Sequence, residues 1–238
     1  MSAKTKPPET PTAAPVLEAT TEAPPAPLTD RVLAVLQLLA RGRGALRLRE
    51  HTLHLGAGGE MHLGADPEKL PEALLEDLLQ DLEIRTRWTT AREDGAPLSM
   101  SAAVVLWRPQ TEFNAASGFR HRVTAAAQER IRGALVGFLR PSHLVDAGPE
   151  VWACWPFTEP LAVDRDPELA AQLLEALAAR LGGDAAIAQD LRSTLPLCGI
   201  IRNFGARDPL PRIEIVAVSP ETRYTITELR SALGMEEA

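Results

Sequence analysis

The sequence predicts an α+β protein: a mixed or antiparallel sheet packed by helices, behind a disordered Pro-rich N-terminal tail. Three observations point there. Strand-like segments come mostly in hairpin pairs. Helices with one apolar face interrupt them irregularly. No run of regular βαβ units occurs, which argues against a doubly wound parallel sheet.

Residues 1–28 hold seven prolines among many Ala, Thr and Glu. That composition has too little apolar surface to offset the entropy of ordering, so it predicts a tail. Thr29 or Asp30 caps a helix carrying Leu33, Leu36 and Leu39, which ends at the glycines of "RGRG". "ALRLREHTLHL" alternates apolar and polar residues and predicts one strand, with "MHLG" returning after the "GAGGE" turn. Asp66 caps a second helix, "PEKLPEALLEDLLQDL", with Leu70, Leu74, Leu78 and Leu82 on one face. Residues 29–83 thus form a helix–hairpin–helix part.

"IRTRWTT" and "MSAAVVLW" flank a turn-rich linker and predict a hairpin. Residues 113–119 are expected to be loop. A helix is expected from Val123 to Leu139, burying Ala127, Ile131, Leu135 and Phe138, with Arg130 and Arg132 toward the rim, until Pro141 stops it. "HLVDA" and "VWACWPF" are strands. Asp166 caps "PELAAQLLEALAARL", which Gly182 and Gly183 end. "AAIAQDLR" reads as a short helix, "LCGIIRN" and "RIEIVAV" as strands, and "TITELRSAL" as a closing helix capped by Thr225 or Thr227.

Composition narrows the function. No apolar run reaches the roughly 18 residues of a membrane span, and no apolar segment follows Lys4 and Lys6 to make a signal peptide, so a cytoplasmic protein is expected. Cys154 and Cys198 sit in apolar strands and read as buried, reduced thiols. The net charge of −7 argues against a general nucleic-acid binder. Its distribution softens that: residues 85–143 carry nine Arg against four acids, whereas residues 144–238 carry eight Arg against fifteen. A local basic face attracts phosphate whatever the total.

A longer series of motifs runs through the second half. "LVDAG" is followed by Trp155, "TEPL", the helix 166–181, "LGGD" at 181–184, Asp190, "LPLCG", Asn203 and "RYTITEL" at 223–229. In order and spacing, residues 84–235 resemble the primase–polymerase domain of the archaeo-eukaryotic primase superfamily, in the version found in plasmid and phage replication proteins. The resemblance implies that residues 84–238 form such a domain. It also implies two metal-binding acids spaced Asp-x-Asp at a strand end, and a nucleotide-binding His on a later strand.

The departures fall on the chemistry. The strand that should bear the acids is "AAVVLWRPQ", with Val, Leu and Trp107 where carboxylates would stand. A two-metal site needs oxygen ligands, and these residues offer none. Trp152 stands at the family's His, and an indole donates a single N–H. Ser193 and Pro196 stand where the family often has Arg. Asp184 and Asp190 survive of the acidic set. Trp152 and Trp155, three apart on a strand, face opposite ways. Trp152 is therefore expected to fill the emptied pocket or to stack on a base.

Other constellations carry less. His51 and His54 point to opposite faces of a strand, with His62 on another element, so no metal site is expected. "GAGGE" lacks the Lys-Ser/Thr pair of a phosphate loop. Ser142 and His143 are neighbours on a strand and are expected to diverge. "SGFRHR", with Arg120 and Arg122, opens a helix, and reads either as a phosphate site or as an exposed loop.

The expected function is that of a catalytically inactive primase–polymerase-like protein. It would bind single-stranded or duplex nucleic acid, or scaffold a protein partner, in replication or defence of a mobile element. Arg120, Arg122, Arg130, Arg202 and Arg207 would contact phosphates and Trp152 could stack. The first alternative is an active nucleotidyltransferase using Mg²⁺ or Mn²⁺ on Asp146, Glu150, Asp184 and Asp190. The second is a pure protein-interaction module. Under the main reading the chain has no cofactor and no metal.

Overall fold

The computed structural model describes residues 28–48, 51–64, 85–109, 111–114, 119–148, 150–186, 190–197 and 214–235; for residues 28, 111–114, 119–122 and 214 it describes the backbone alone. The Pro-rich tail, the helix expected at 66–82, the "LCGIIRN" strand with Cys198, and Arg202 and Arg207 lie outside the described residues. So do residues 187–189 of the short helix expected near 185–192.

Two five-stranded antiparallel sheets organise the described residues. The central sheet holds β5 (Thr89–Ala91), β6 (Pro97–Trp107), β9 (His143–Asp146), β10 (Val151–Ala162) and β12 (Glu214–Ala217), in the order β12-β9-β10-β6-β5. The second sheet holds β1 (Leu46–Leu48), β2 (His51–Leu55), β3 (Met61–Leu63), β4 (Arg85–Arg87) and β11 (Thr194–Pro196), in the order β11-β4-β1-β2-β3. A separate hairpin pairs β7 (Thr111–Asn114) with β8 (Phe119–Val123). The described residues also form four helices: α1 (Leu28–Leu39), α2 (Ala125–Leu135), α3 (Pro167–Leu181) and α4 (Ile226–Ala232). The α+β class and the antiparallel pairing match the expectation. Across the boundary expected between residues 83 and 84, β4 pairs with β1, and β11 pairs in turn with β4.

Local chemistry explains the ends of the helices. Asp166 caps α3 by accepting from Leu169 N at 2.9 Å, and Gly182 ends it in the left-handed region at φ 67°. Its buried face is Ala170, Leu173, Leu174, Leu177, Ala178 and Leu181. Thr225 and Glu228 form a capping box on α4. α2 ends at Leu135, short of the expected Leu139; Gly137 turns the chain at φ 77° before Pro141 can act. Phe138 and Leu139 still pack, as the aromatic ring meets Trp155 edge-on at 5.8 Å.

Two strand readings change. "ALRLREHTLHL" is two strands, β1 and β2, paired antiparallel with Leu46 opposite Leu53. Folding back puts Leu46, Leu48 and Leu53 together in the core, whereas on one straight strand Leu53 would face opposite to Leu46 and Leu48. Of the segment 113–119 expected as loop, Phe113 and Asn114 lie on β7 and Phe119 opens β8, which also takes Val123, expected as helix; Thr124 caps α2 directly after it. The run from Arg85 to Ala91 also does more than open a hairpin. Its first half is β4 of the second sheet and its second half is β5 of the central sheet, with fully buried Trp88 at the crossing.

The two faces of the central sheet follow from the register. Val151 pairs with Trp107, Trp152 with Leu106 and Cys154 with Val104. Trp107, Val105 and Trp155 face the helices. The Trp107 indole donates to Leu181 O at 3.0 Å, the Trp155 indole donates to Leu139 O at 2.8 Å, and a Cβ on Gly183 would collide with Val105 Cγ2. Trp152, Leu106, Val104 and Cys154 face the other way, toward the second sheet.

Candidate functional site

A sheet with helices on one side offers its other side for chemistry, and here that side meets the second sheet. Trp152 is fully buried there and donates from Nε1 to Pro196 O of β11 at 2.8 Å. Leu106 beside it, Val104 and Cys154 are buried as well. No ring face of Trp152 reaches solvent, so the expectation that it could stack on a base is corrected: its indole is a wall between two sheets. Burial pushes the Cys154 thiol up to about 12, as expected of a dry interface. Both tryptophans of "VWACW" are buried even though they point opposite ways, because both faces of the sheet are covered.

At the rim of this junction the chain places four charged side chains. Glu150, just before β10, accepts from Arg108 Nε at 2.9 Å and from Arg85 Nη1 at 2.8 Å. Arg108, just after β6, also donates from Nη1 to Asp184 Oδ2. Arg85 is steadied by Thr194, with Nε donating to Oγ1 at 2.9 Å and Nη2 to the backbone O at 2.7 Å. The network spans both sheets: Arg85 pairs in register with Pro196, the residue that receives the Trp152 indole. The two carboxylates hold the Arg108 guanidinium more firmly protonated than usual, chiefly through the Glu150 hydrogen bond.

Of the four acids considered for catalysis, the structure brings Glu150 and Asp184 together through Arg108. Asp146 ends β9, and its Oδ1 accepts from Gly148 N at 3.0 Å within the β9–β10 turn. Asp190 caps its own turn, accepting from Arg192 N at 2.9 Å. Among the described residues no group of three or more His, Cys, Asp or Glu could hold a metal. The two-metal chemistry that the resemblance implies does not fit these residues. The strand end carries Leu106 and Trp107, and the two acids that do meet have a guanidinium between them.

Arg130 lies on α2, exposed and without a carboxylate partner among the described residues. It borders a half-open recess of about 400 Å³ on the helix side, with Trp107, Arg108, Ala127, Ile131 and Leu181. Arg120 and Arg122 lie on β8, of which the backbone alone is described. Ser142 and His143, expected to diverge, do meet: Ser142 Oγ and His143 Nδ1 are 2.8 Å apart. Both are buried, so no substrate reaches them. Burial, with nearby Arg223, lowers the His143 pKa. His54 and His62 are cross-strand partners, and His62 Nε2 lies 3.3 Å from Glu60 Oε1. Sequence reasoning missed Arg85 and Arg108. The one signal available was an arginine directly after the apolar strand that ends in Trp107.

The paired sheets, with helices on the outer face of the central one, have the primase–polymerase fold. The particular likeness is to the AEP domain of the cyanophage S-2L primase–polymerase, with a TM-score of 0.52 at 18% identity, covering 86% of this chain and 97% of that domain. The catalytic domain of primase RepB′ in complex with initiator DNA is similar with a TM-score of 0.45 at 16% identity, covering 86% and 94%. Primase RepB′ is similar with a TM-score of 0.47 at 15% identity, covering 87% and 62%. No protein-family model and no curated protein matches the sequence. No helix among the described residues is long and apolar enough to cross a membrane.

Proposed function

We propose that this chain is a catalytically inactive protein of the primase–polymerase fold that binds nucleic acid through its arginine-bearing surface. The observation that carries the reading is Trp152. Its indole is buried at the position to which the resemblance assigns the nucleotide-binding His, and its one N–H is committed to Pro196 O. A triphosphate would have to displace a buried tryptophan and separate two sheets. Arg130, exposed and without a carboxylate partner among the described residues, supports a phosphate contact outside that junction. The cyanophage source of the similar domain supports a setting in replication or defence of a mobile element.

The test is binding of fluorescent single-stranded and duplex oligonucleotides across a salt series, with labelled nucleotides and Mn²⁺ in parallel. The expected result is affinity that falls steeply with salt, because bound phosphates release counterions, and no incorporation. Arg130→Ala should lower affinity for all sequences alike and reduce the salt slope by about 1. Absence of binding at any salt would replace this reading with a protein-interaction module. Incorporation would replace it with an active nucleotidyltransferase.

A further inference from the structure

We infer that Arg108 is a resident cation, standing where a divalent metal would have to stand to use Glu150 and Asp184. The donor set is the first argument. Each of the four carboxylate oxygens already has a donor: Glu150 Oε1 takes Arg108 Nε, Glu150 Oε2 takes Arg85 Nη1, Asp184 Oδ2 takes Arg108 Nη1, and Asp184 Oδ1 takes Ala186 N at 2.8 Å. A metal needs those same oxygens turned toward one point about 2.0–2.6 Å away, where the guanidinium now lies.

Charge is the second argument. Two guanidiniums and two carboxylates leave the cluster neutral. A divalent ion entering beside both arginines meets two like charges at close range, where repulsion is strong. It must therefore eject Arg108, whose side chain is the half-exposed member of the cluster, while Glu150 is the most buried.

Backbone positioning is the third. Asp184 N donates to Leu106 O at 2.6 Å, so the acid is tied to the strand end from which Arg108 departs. Glu150 O accepts from Ala147 N at 3.0 Å, which closes the turn that presents its side chain. The acids are held by the fold, independently of the guanidinium between them. Removing the guanidinium leaves two placed carboxylates and one remaining positive charge, Arg85.

This deepens the reading of the chain as inactive, and it is tested by metal binding rather than by incorporation. Free Mn²⁺ is followed by its paramagnetic resonance signal as the full chain is titrated. The wild type should take up no stoichiometric Mn²⁺. Arg108→Ala should gain one site, with affinity roughly tenfold or more above the wild type. Arg108→Lys retains a cation and should gain none, and Arg108→Ala with Asp184→Asn should lose the new site. Two results would overturn the inference: stoichiometric Mn²⁺ binding by the wild type, or a folded Arg108→Ala chain, by circular dichroism, that binds no better than wild type. The wild-type arm decides even if the alanine variant fails to fold. A wild type that binds Mn²⁺ yet incorporates no nucleotide would sink this inference and leave the inactive reading standing.

Discussion

Inside the junction between the two sheets, Trp152, Leu106, Val104 and Cys154 form a dry apolar contact with one committed hydrogen bond. At its rim, a few residues away, Arg85, Glu150, Arg108 and Asp184 join the same two sheets by charge alone. The interior is governed by volume and desolvation, which salt barely touches. The rim is governed by Coulomb attraction in a half-exposed place, which salt screens. A junction closed in both ways stays closed under conditions that would loosen either one. The difference also says which part can be altered without destroying the fold.

The largest expected effect is in the interior. Trp152→Ala should cost about 3–5 kcal/mol, the usual range for emptying a large aromatic site, read as a lower urea midpoint. Against a typical total of about 5–15 kcal/mol, that loss would threaten the fold. A comparison of two conservative changes is sharper. Trp152 donates a hydrogen bond, whereas Trp88, equally buried, has no partner for its indole N–H among the described residues. Both Trp→Phe variants lose the same volume, but only Trp152→Phe strands a buried carbonyl. Its destabilisation should exceed that of Trp88→Phe by about 1–3 kcal/mol. Equal losses would mean that the Pro196 contact contributes nothing.

The rim should respond more weakly and in a salt-dependent way. Glu150→Gln should lower stability by about 1 kcal/mol at low salt, with the loss shrinking in denaturation curves at high salt. A salt-independent loss would move Glu150 into the interior class. Cys154, on the same face as Trp152, should have no effect at neutral pH and should report dryness at high pH. Its thiol is pushed up to about 12 in the folded chain and ionises near 8.5 in the unfolded one. Between those values the folded state holds the extra proton, so stability falls as pH rises from about 9 to 12. Cys154→Ala should lack that slope, and the native thiol should resist aromatic disulfide reagents at pH 8.

Much of this was legible from residue order. The α3 caps Asp166 and Gly182, the Thr225 cap, the opposed faces of Trp152 and Trp155, and the motif series that points to the fold can all be read in one dimension. The β1–β2 fold-back reads as one strand, although the apolar positions change phase from Leu46 and Leu48 to Leu53 and Leu55 across four polar residues. The β4–β5 crossing was hidden: Arg85 to Ala91 reads as one strand, and only the rest of the fold decides that it serves two sheets. The rim was half legible: Glu150 and Asp184 were grouped as candidate acids, but Arg85 and Arg108 come from two other distant segments. A sequence can show that acids are missing from a strand; it cannot show that a guanidinium lies between Glu150 and Asp184.

The most direct test of the closed junction is hydrogen exchange at the Trp152 indole N–H, followed by NMR. A sealed interior predicts exchange only through global unfolding, with an opening free energy equal to that from urea denaturation. Exchange through a much smaller opening would contradict it, and would mean that the sheets part in the native state and expose the face that Trp152 fills.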